Sequence, residues 1–200
     1  MATSTSAKID LASVIDHTYL KADCSTADVK VLCNEALQHG FKAVCIPPYY
    51  VFQAKKILGE SRVKICTVVG FPMGYSTTGA KVEEIKRACN DGVDELDVVV
   101  NVAAIKNNDW NTVSNDIEST AVISHLRGKQ IKLIIEIGLL EEDEIVKVCD
   151  LATKSGVNFV KTSTGFNNTI TTTSDIVYLR NLLPPAIKIK ASGGIRTKKE

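Results

Sequence analysis

The sequence predicts a parallel α/β fold, and two observations carry this prediction. Along the 200 residues, short runs rich in β-branched residues alternate with amphipathic stretches, most of which end at a glycine. Several of the short runs are apolar on both faces, as is typical of parallel strands covered on each side. Such an alternation places the strands in one parallel sheet, joined by right-handed helical crossovers.

Seven strands are predicted in chain order. We expect them at Ser13–Asp16, Ala43–Ile46, Lys64–Val69, Glu95–Asn101, Lys132–Ile137, Phe159–Thr162 and Ile187–Lys190. An eight-stranded barrel needs one strand–helix unit more than this, whereas an open doubly wound sheet does not. The pattern by itself therefore leaves both architectures open.

The helices between the strands show one apolar face each. The first carries apolar residues at helical spacing, at Val29, Leu32, Cys33, Ala36 and Leu37. Ser25 and Asp28 predict its N-terminal cap, and Gly40 predicts its end. Two later helices repeat the pattern, with Val82, Ile85, Ala88 and Cys89 before Gly92, and Ile145, Val148, Cys149 and Ala152 before Gly156.

Length and composition indicate one globular domain over residues 1–200, with a flexible N-terminal tail at residues 1–8. The formal net charge is +1, without the basic surface expected of a nucleic-acid-binding protein. No apolar run approaches the roughly 20 residues that a membrane-spanning helix requires. We therefore expect neither nucleic acid nor membrane as a partner.

The six cysteines are dispersed and form no CxxC pair. This distribution favours reduced core thiols in a cytoplasmic protein. The three histidines are also scattered, without the spacing of metal ligands. The sequence accordingly predicts no metal and no cofactor.

Polar residues at the ends of apolar strands are the candidates for chemistry, because functional groups of parallel α/β folds collect there. Lys161 ends the sixth strand, Lys190 ends the seventh, and Asp97 lies within the apolar fourth. A single lysine in a strand is usually a solvated edge residue. Two lysines in adjacent strands that face a restricted interior need carboxylate partners, because a buried unpaired charge is costly. Asp97 and Asp16 are the available partners.

The same residues also fit an amine nucleophile. A lysine attacks a carbonyl only when neutral, so its pKa must fall from about 10.4 towards 7, which corresponds to roughly 4–5 kcal/mol. A second ammonium about 5 Å away supplies roughly 3 kcal/mol at an effective dielectric constant near 20. We therefore predict that Lys190 lowers the pKa of Lys161 and that Asp97 transfers protons. For Asp97, a purely structural hydrogen-bonding role remains open.

Two glycine-containing turns predict an anion site. Thr164-Gly165 follows one lysine strand, and Gly193-Gly194 follows the other and precedes Arg196. Free backbone N–H groups at such turns bind phosphate, although ordinary turns use the same residues. Cys45 is a further candidate for the site wall, with a plain core role as the alternative. The turn from Gly70 to Gly74 either shapes the mouth of the pocket or is a plain structural turn, and the sequence leaves both roles open.

Together these stretches resemble the deoxyribose-phosphate aldolase family. The resemblance spans nearly the whole chain and rests on Ile15-Asp16-His17-Thr18, Gly70-Phe71-Pro72, Glu95-Leu96-Asp97-Val98-Val99-Val100-Asn101, Phe159-Val160-Lys161-Thr162-Ser163-Thr164-Gly165 and Lys190-Ala191-Ser192-Gly193-Gly194-Ile195-Arg196.

The resemblance implies a (β/α)8 TIM barrel, of which the chain to Glu200 lacks the last strand–helix unit. It also implies reversible cleavage of 2-deoxy-D-ribose 5-phosphate to glyceraldehyde 3-phosphate and acetaldehyde. In that family the lysine matching Lys161 forms an imine, those matching Asp97 and Lys190 handle protons, and Asp16 supports Lys190. The glycines matching Gly165, Gly193 and Gly194 lie by the phosphate, and a homodimer is expected.

Two other functions remain open at this point. One is a lysine aldolase or transaldolase-like enzyme for a different sugar phosphate. The other is a catalytically inactive barrel kept for binding or assembly. Trapping of an imine with borohydride separates an enzyme of either kind from the inactive barrel.

Overall fold

A computed structural model describes residues 10–168, 170–195 and 197 as a parallel sheet surrounded by helices. In the described residues the sheet has seven strands, in the spatial order β1 to β7. The strands are β1 (Asp16–Thr18), β2 (Ala43–Ile46), β3 (Lys64–Val69), β4 (Glu95–Val99), β5 (Gln130–Ile134), β6 (Phe159–Lys161) and β7 (Lys188–Lys190).

The sheet is curled rather than flat. Each strand pairs in parallel with the next, so β1 and β7 are at opposite ends of the strand order. Nevertheless, a carboxylate oxygen of Asp16 on β1 lies 2.9 Å from the ammonium of Lys190 on β7. Because the two end strands meet through their side chains, the sheet encloses an interior in the manner of a barrel.

Helices cover the outside of this sheet. They are α1 (Thr26–His39), α2 (Val51–Leu58), α3 (Thr78–Asp91), α4 (Val102–Lys106), α5 (Trp110–Leu126), α6 (Glu142–Lys154) and α7 (Thr173–Leu182), with 3-10 turns at Leu11–Val14, Pro48–Tyr50 and Ile137–Leu139. Their buried faces join the strands in one large apolar core. The predicted cap of α1 is confirmed as a reciprocal pair between Ser25 and Asp28, and Gly40 ends the helix with φ of 67°.

The observed limits of β2 and β3 are those predicted from the sequence, and the limits of the other five strands differ from the predicted ones. The predicted strand Ser13–Asp16 is wrong, because Asp10 caps a 3-10 turn over Leu11–Val14 and the strand begins only at Asp16. The predicted strand Lys132–Ile137 is shifted, since the observed strand covers Gln130–Ile134. Glu136 then adopts a left-handed conformation with φ of 52°, which an extended strand does not accommodate.

The remaining differences are at strand ends. The fourth strand ends two residues early because the Asn101 side chain accepts a hydrogen bond from Ala104 N and begins α4. The sixth strand ends one residue before its predicted end, and the seventh strand begins one residue after its predicted start. The predicted tail at residues 1–8 lies outside the described residues. All six cysteines are free thiols, and no described helix is long and apolar enough to cross a membrane.

A buried ion pair joins two of the helices. Lys81 of α3 and Asp116 of α5 are almost inaccessible to solvent, and their charged atoms are 2.5 Å apart. The Lys81 ammonium also donates a hydrogen bond to the carbonyl of Val99, at the end of β4. Burial lowers the pKa of Lys81, and the charge of Asp116 offsets this only in part. The pair itself therefore adds little net stability, but removal of either charge alone destabilises the fold, because the other charge is left buried and unpaired.

Replacing Lys81 by methionine is expected to lower the free energy of unfolding by about 3–5 kcal/mol, because Asp116 would remain buried without its counter-charge. Urea denaturation measures the loss. The double variant Lys81→Met/Asp116→Leu is expected to recover most of it. Equal stability of the single and double variants would contradict this explanation.

Candidate functional site

A cluster of three ammonium groups and three carboxylates lies in the interior of the curled sheet. These side chains come from β1, β4, β5, β6 and β7, and they are Asp16, Glu95, Asp97, Lys132, Lys161 and Lys190. The parallel register places Asp97 beside Lys132 and Lys161 beside Lys190. The four residues predicted as catalytic are therefore brought together by the fold.

The central contact joins Lys161 and Asp97. The Nζ atom of Lys161 donates a hydrogen bond to Oδ2 of Asp97 over 2.6 Å. Lys161 is 5% exposed and Asp97 is completely buried. The amine is thus shielded from bulk water, with a proton acceptor in direct contact.

The prediction that Lys190 lowers the pKa of Lys161 is wrong for this arrangement. Burial disfavours the Lys161 ammonium, but the charge of Asp97 outweighs burial and raises the pKa above the usual lysine value. Burial also disfavours ionised Asp97, yet the ammonium groups of Lys132 and Lys161 hold its pKa well below the usual range. The sequence correctly indicated that buried lysines need carboxylates, and that requirement dominates the observed electrostatics.

Lys190 forms an ion pair with Asp16. Its Nζ atom lies 2.9 Å from Oδ2 of Asp16, and its side chain is partly exposed. Lys188, two residues earlier, is exposed and places its ammonium 5.3 Å from the centre of the Phe159 ring. Of these two lysines, only Lys190 thus belongs to the interior cluster.

A cleft of about 950 Å³ gives access to the cluster. The residues that line it include Lys161, Lys190, Thr164, Gly165, Gly193 and Gly194. The three glycines have positive φ values of 82° to 94°. Positive φ values of this kind are typical of glycine turns, and the binding of an anion at these turns stays a prediction. Arg196, predicted beside them, lies outside the described residues.

One aromatic ring that lines the cleft, that of Phe166, packs against Phe71, which also contacts the buried cluster of Cys45, Cys66 and Val68. Phe71 and Phe166 meet edge to face, with ring centroids 5.1 Å apart. The turn that carries Phe71 approaches β4 closely, since a Cβ atom on Gly74 would lie 2.0 Å from the carbonyl oxygen of Val100. Only glycine fits there, so the turn is held against the sheet.

Glu136 is a site residue that the sequence did not single out. Its buried carboxylate accepts hydrogen bonds from the backbone N–H of Thr164, at 3.2 Å, and from the Thr164 hydroxyl, at 2.5 Å. Its left-handed backbone is uncommon for a residue with a side chain and often occurs at functional sites. The only sequence signal was an acidic residue near the end of a predicted apolar strand.

Replacing Glu136 by glutamine is expected to raise the KM for a phosphorylated substrate about fivefold, because a neutral acceptor holds Thr164 roughly 1 kcal/mol more weakly than a carboxylate. The KM for the same sugar without its phosphate should change less. Steady-state kinetics with both sugars measure the difference, and the exposed residue Glu142 provides a Glu→Gln control. An equal change for the two sugars would show that Glu136 does not act through the turn that carries Thr164 and Gly165.

Cys45 lies beneath the cluster and not on the cleft wall. It is 1% exposed and belongs to a small apolar cluster with Cys66 and Val68. Cys45, Cys66 and Asp97 bring three potential metal-ligand atoms within 4.8 Å of one another. However, both Asp97 oxygens already contact ammonium groups, and burial raises the pKa of the Cys66 thiol. This donor set therefore suits hydrogen bonding better than metal coordination.

Lys132 and Glu95 also belong to the cluster, and sequence reasoning missed both. Lys132 Nζ lies 2.7 Å from Glu95 Oε2 and 2.9 Å from Asp97 Oδ1. A lysine flanked by Ile131 and Leu133 in an apolar strand was the available signal. This signal was not sufficient, because only the sheet register shows that Lys132 lies next to Asp97.

A curled parallel sheet with a shielded lysine–carboxylate pair in an open cleft fits the class of β/α lyases, whose functional groups lie at the ends of the strands. The model of the DeoC/LacD family aldolases matches residues 11–200. The chain belongs to this family.

Curated relatives agree with this assignment. The deoxyribose-phosphate aldolase of Thermococcus gammatolerans is 45% identical over 191 residues, which cover 94% of this chain and 85% of the relative. The enzyme of the same name from Thermococcus kodakarensis is 46% identical over 192 residues, with 95% and 86% covered.

Solved structures are similar as well. A structure described as "QR15, an Aldolase" has a TM-score of 0.88 and 35% identity, and the match covers 94% of this chain and 83% of that one. The tetrameric deoxyribose phosphate aldolase from Aeropyrum pernix has a TM-score of 0.86 and 30% identity, with 94% and 79% covered.

Proposed function

We propose that this protein is a deoxyribose-phosphate aldolase, which reversibly cleaves 2-deoxy-D-ribose 5-phosphate to D-glyceraldehyde 3-phosphate and acetaldehyde. The observation that carries the proposal is the 2.6 Å contact between Lys161 Nζ and Asp97 Oδ2 in the cleft. It supplies an amine and a proton acceptor in one shielded place. The names of the relatives above support the choice of substrate.

In the first step, Asp97 takes a proton from the Lys161 ammonium, and the free amine attacks the aldehyde carbon of the open-chain sugar. The proton moves over a single hydrogen bond, and its transfer leaves a neutral amine and a neutral acid. That acid then protonates the carbinolamine hydroxyl, which leaves as water and gives the iminium ion. Asp97 is thereby ionised again. In this scheme the raised pKa of Lys161 describes the resting pair, and the proton leaves the nitrogen only as the substrate engages it.

In the second step, the iminium nitrogen accepts the electron pair of the breaking carbon–carbon bond. The C3 hydroxyl of the sugar loses its proton, and glyceraldehyde 3-phosphate departs. The resulting enamine is protonated on carbon, and water then releases acetaldehyde from Lys161. We propose that the Lys190–Asp16 pair, of which Lys190 lines the cleft, accepts the proton of the C3 hydroxyl and returns a proton to the enamine carbon.

The substrate phosphate is proposed to bind at the turns that contain Thr164, Gly165, Gly193 and Gly194. Their positive-φ glycines leave backbone N–H groups free of Cβ shielding, and Glu136 holds the first turn in place. We propose Cys45 as a support beneath Lys161 rather than a group that touches the sugar. The mechanism calls for no metal and no cofactor, because the imine nitrogen itself serves as the electron sink.

The experiment is a direct assay of cleavage, in which acetaldehyde and glyceraldehyde 3-phosphate are quantified from 2-deoxyribose 5-phosphate. Ribose 5-phosphate and fructose 6-phosphate are compared in parallel. A higher kcat/KM for the deoxy sugar is expected. Preference for another sugar phosphate would indicate the related lysine aldolase instead, and no turnover of any would favour the inactive barrel.

We further propose that the described sheet provides seven strands of a (β/α)8 barrel forming one domain over residues 1–200. Consecutive, all-parallel strand order and the contact between β1 and β7 support this. A cytoplasmic homodimer is the proposed form of the enzyme, and free thiols and a phosphorylated metabolite suit that compartment. Size-exclusion chromatography with light scattering distinguishes the dimer from a tetramer such as the Aeropyrum pernix enzyme.

A further inference from the structure

Lys132 is a buried ionisable group that the proposed chemistry does not use. Its side chain is 2% exposed, and its ammonium lies 2.7 Å from Glu95 Oε2, 2.9 Å from Asp97 Oδ1 and 3.6 Å from Asp16 Oδ2. It also donates a hydrogen bond to the Cys66 sulfur, at 3.2 Å. Burial disfavours this ammonium, but the surrounding carboxylates outweigh burial and raise its pKa. Lys132 is therefore charged throughout the neutral range.

The contacts divide the two oxygens of Asp97 between two lysines. Oδ1 accepts from Lys132 and from the Cys66 thiol, whereas Oδ2 accepts from Lys161. A carboxylate held at one oxygen by a side chain from β5 cannot rotate freely, so its other oxygen stays directed at the amine. Lys132 thus fixes the geometry of the contact between Asp97 and Lys161 without itself contacting the Lys161 amine.

Lys132 also completes the charge balance of the cluster. With it, three ammonium groups face three carboxylates, namely Asp16, Glu95 and Asp97. Without it, one negative charge would be left over in a region shielded from water. Such an excess makes each remaining carboxylate a stronger base.

We propose that Lys132 is a positioning residue of the active site, whose ammonium directs Oδ2 of Asp97 towards Lys161 and keeps Asp97 ionised until it receives the lysine proton. This inference rests on the proposed aldolase function. It assigns to Lys132 no contact with substrate. Its role is to act through Asp97.

The consequence is a particular dependence on pH. The charged and titratable groups around Asp97, from every strand that faces it, are Asp16, Cys45, Cys66, Glu95, Lys132, Lys161 and Lys190. Of these, the ammonium groups of Lys132 and Lys161 are what hold the pKa of Asp97 down. Loss of Lys132 removes one of them, so the pKa of Asp97 must rise, and activity must be lost at a higher pH on the acid side.

The test compares Lys132→Met with Lys81→Met, because Lys81 is the other fully buried lysine of the described chain and also belongs to an ion pair. Both variants should lose stability. In Lys132→Met alone, kcat for deoxyribose 5-phosphate should fall roughly 100-fold, with KM changed less than about twofold. The acid limb of its kcat profile should move up by about 1–3 pH units. Lys132→Arg should restore much of kcat and return the limb towards its wild-type position.

The proposal would be overturned if the acid limb of Lys132→Met does not move. It would also be overturned if Lys81→Met shows the same shift of the acid limb and the same fall in kcat. If Lys132→Met does not fold, Glu95→Gln/Lys132→Met removes the leftover charge and must show a shift of the acid limb in the same direction. Failure of the proposed function is separate, since it would appear as inactivity of the wild-type protein in the same assay.

Discussion

Replacing Lys161 by methionine is expected to abolish covalent trapping of acetaldehyde by borohydride. In the wild-type protein, reduction of the imine should add one ethyl group, which peptide mapping should locate at Lys161. Methionine keeps the length and apolar character of the side chain but has no amine, so neither adduct nor turnover is expected. The kcat for deoxyribose 5-phosphate should fall by about 10⁴-fold or more, because the covalent route is lost.

Lys188→Met is the matched control, since Lys188 lies on β7 outside the interior cluster. It should retain both the adduct and the turnover. An adduct on Lys190 or Lys132, or an adduct that persists in Lys161→Met, would identify a different nucleophile. The single assay thereby tests the residue as well as the chemistry.

Replacing Asp97 by asparagine is expected to lower kcat by about 10²–10⁴-fold, the range usual for loss of a general acid–base group. The side chain keeps its shape, but it no longer accepts the Lys161 proton. Steady-state cleavage measures this loss. If kcat stays near the wild-type value, Asp97 is only a structural carboxylate, which was the alternative left open by the sequence.

The same variant makes a prediction about pH with a definite sign. In the wild-type protein Asp97 raises the pKa of Lys161, so the free amine becomes abundant only in alkaline solution. Without that charge, burial lowers the pKa of Lys161, and the neutral amine should appear at lower pH. Single-turnover borohydride trapping should therefore show the alkaline rise of imine formation shifted towards neutral pH in Asp97→Asn. An unshifted rise would show that the carboxylate does not control the amine.

Local patterns were sufficient for much of the fold. Runs such as Ala43–Ile46 and Lys64–Val69 are apolar on both faces, and their limits were predicted to the residue. Errors occurred where a single side chain redirects the backbone. Asp10 caps a turn that competes with the first strand, and Glu136 leaves the extended conformation at the end of the fifth. Neither effect is visible in hydrophobic periodicity.

The site was predicted less completely for a related reason. Lys161, Lys190, Asp97 and Asp16 occur in motifs that indicate chemistry by residue type and by position at strand ends. Lys132 occurs in an apolar strand and contacts Asp97, which is 35 residues away along the chain. Glu136 occurs just after that strand and contacts Thr164, which is 28 residues away. Only the parallel register makes them neighbours of Asp97 and Thr164.

By itself, the sequence determined the order of strands and helices, the class of the fold and four candidate residues for amine chemistry. These properties follow from local periodicity and from residue types. The tertiary structure decided the direction in which the pKa values of Lys161 and Asp97 move, because these depend on which charges lie within a few ångströms in a shielded interior. The lysines were predicted to act on each other, whereas the folded chain pairs each of them with a carboxylate.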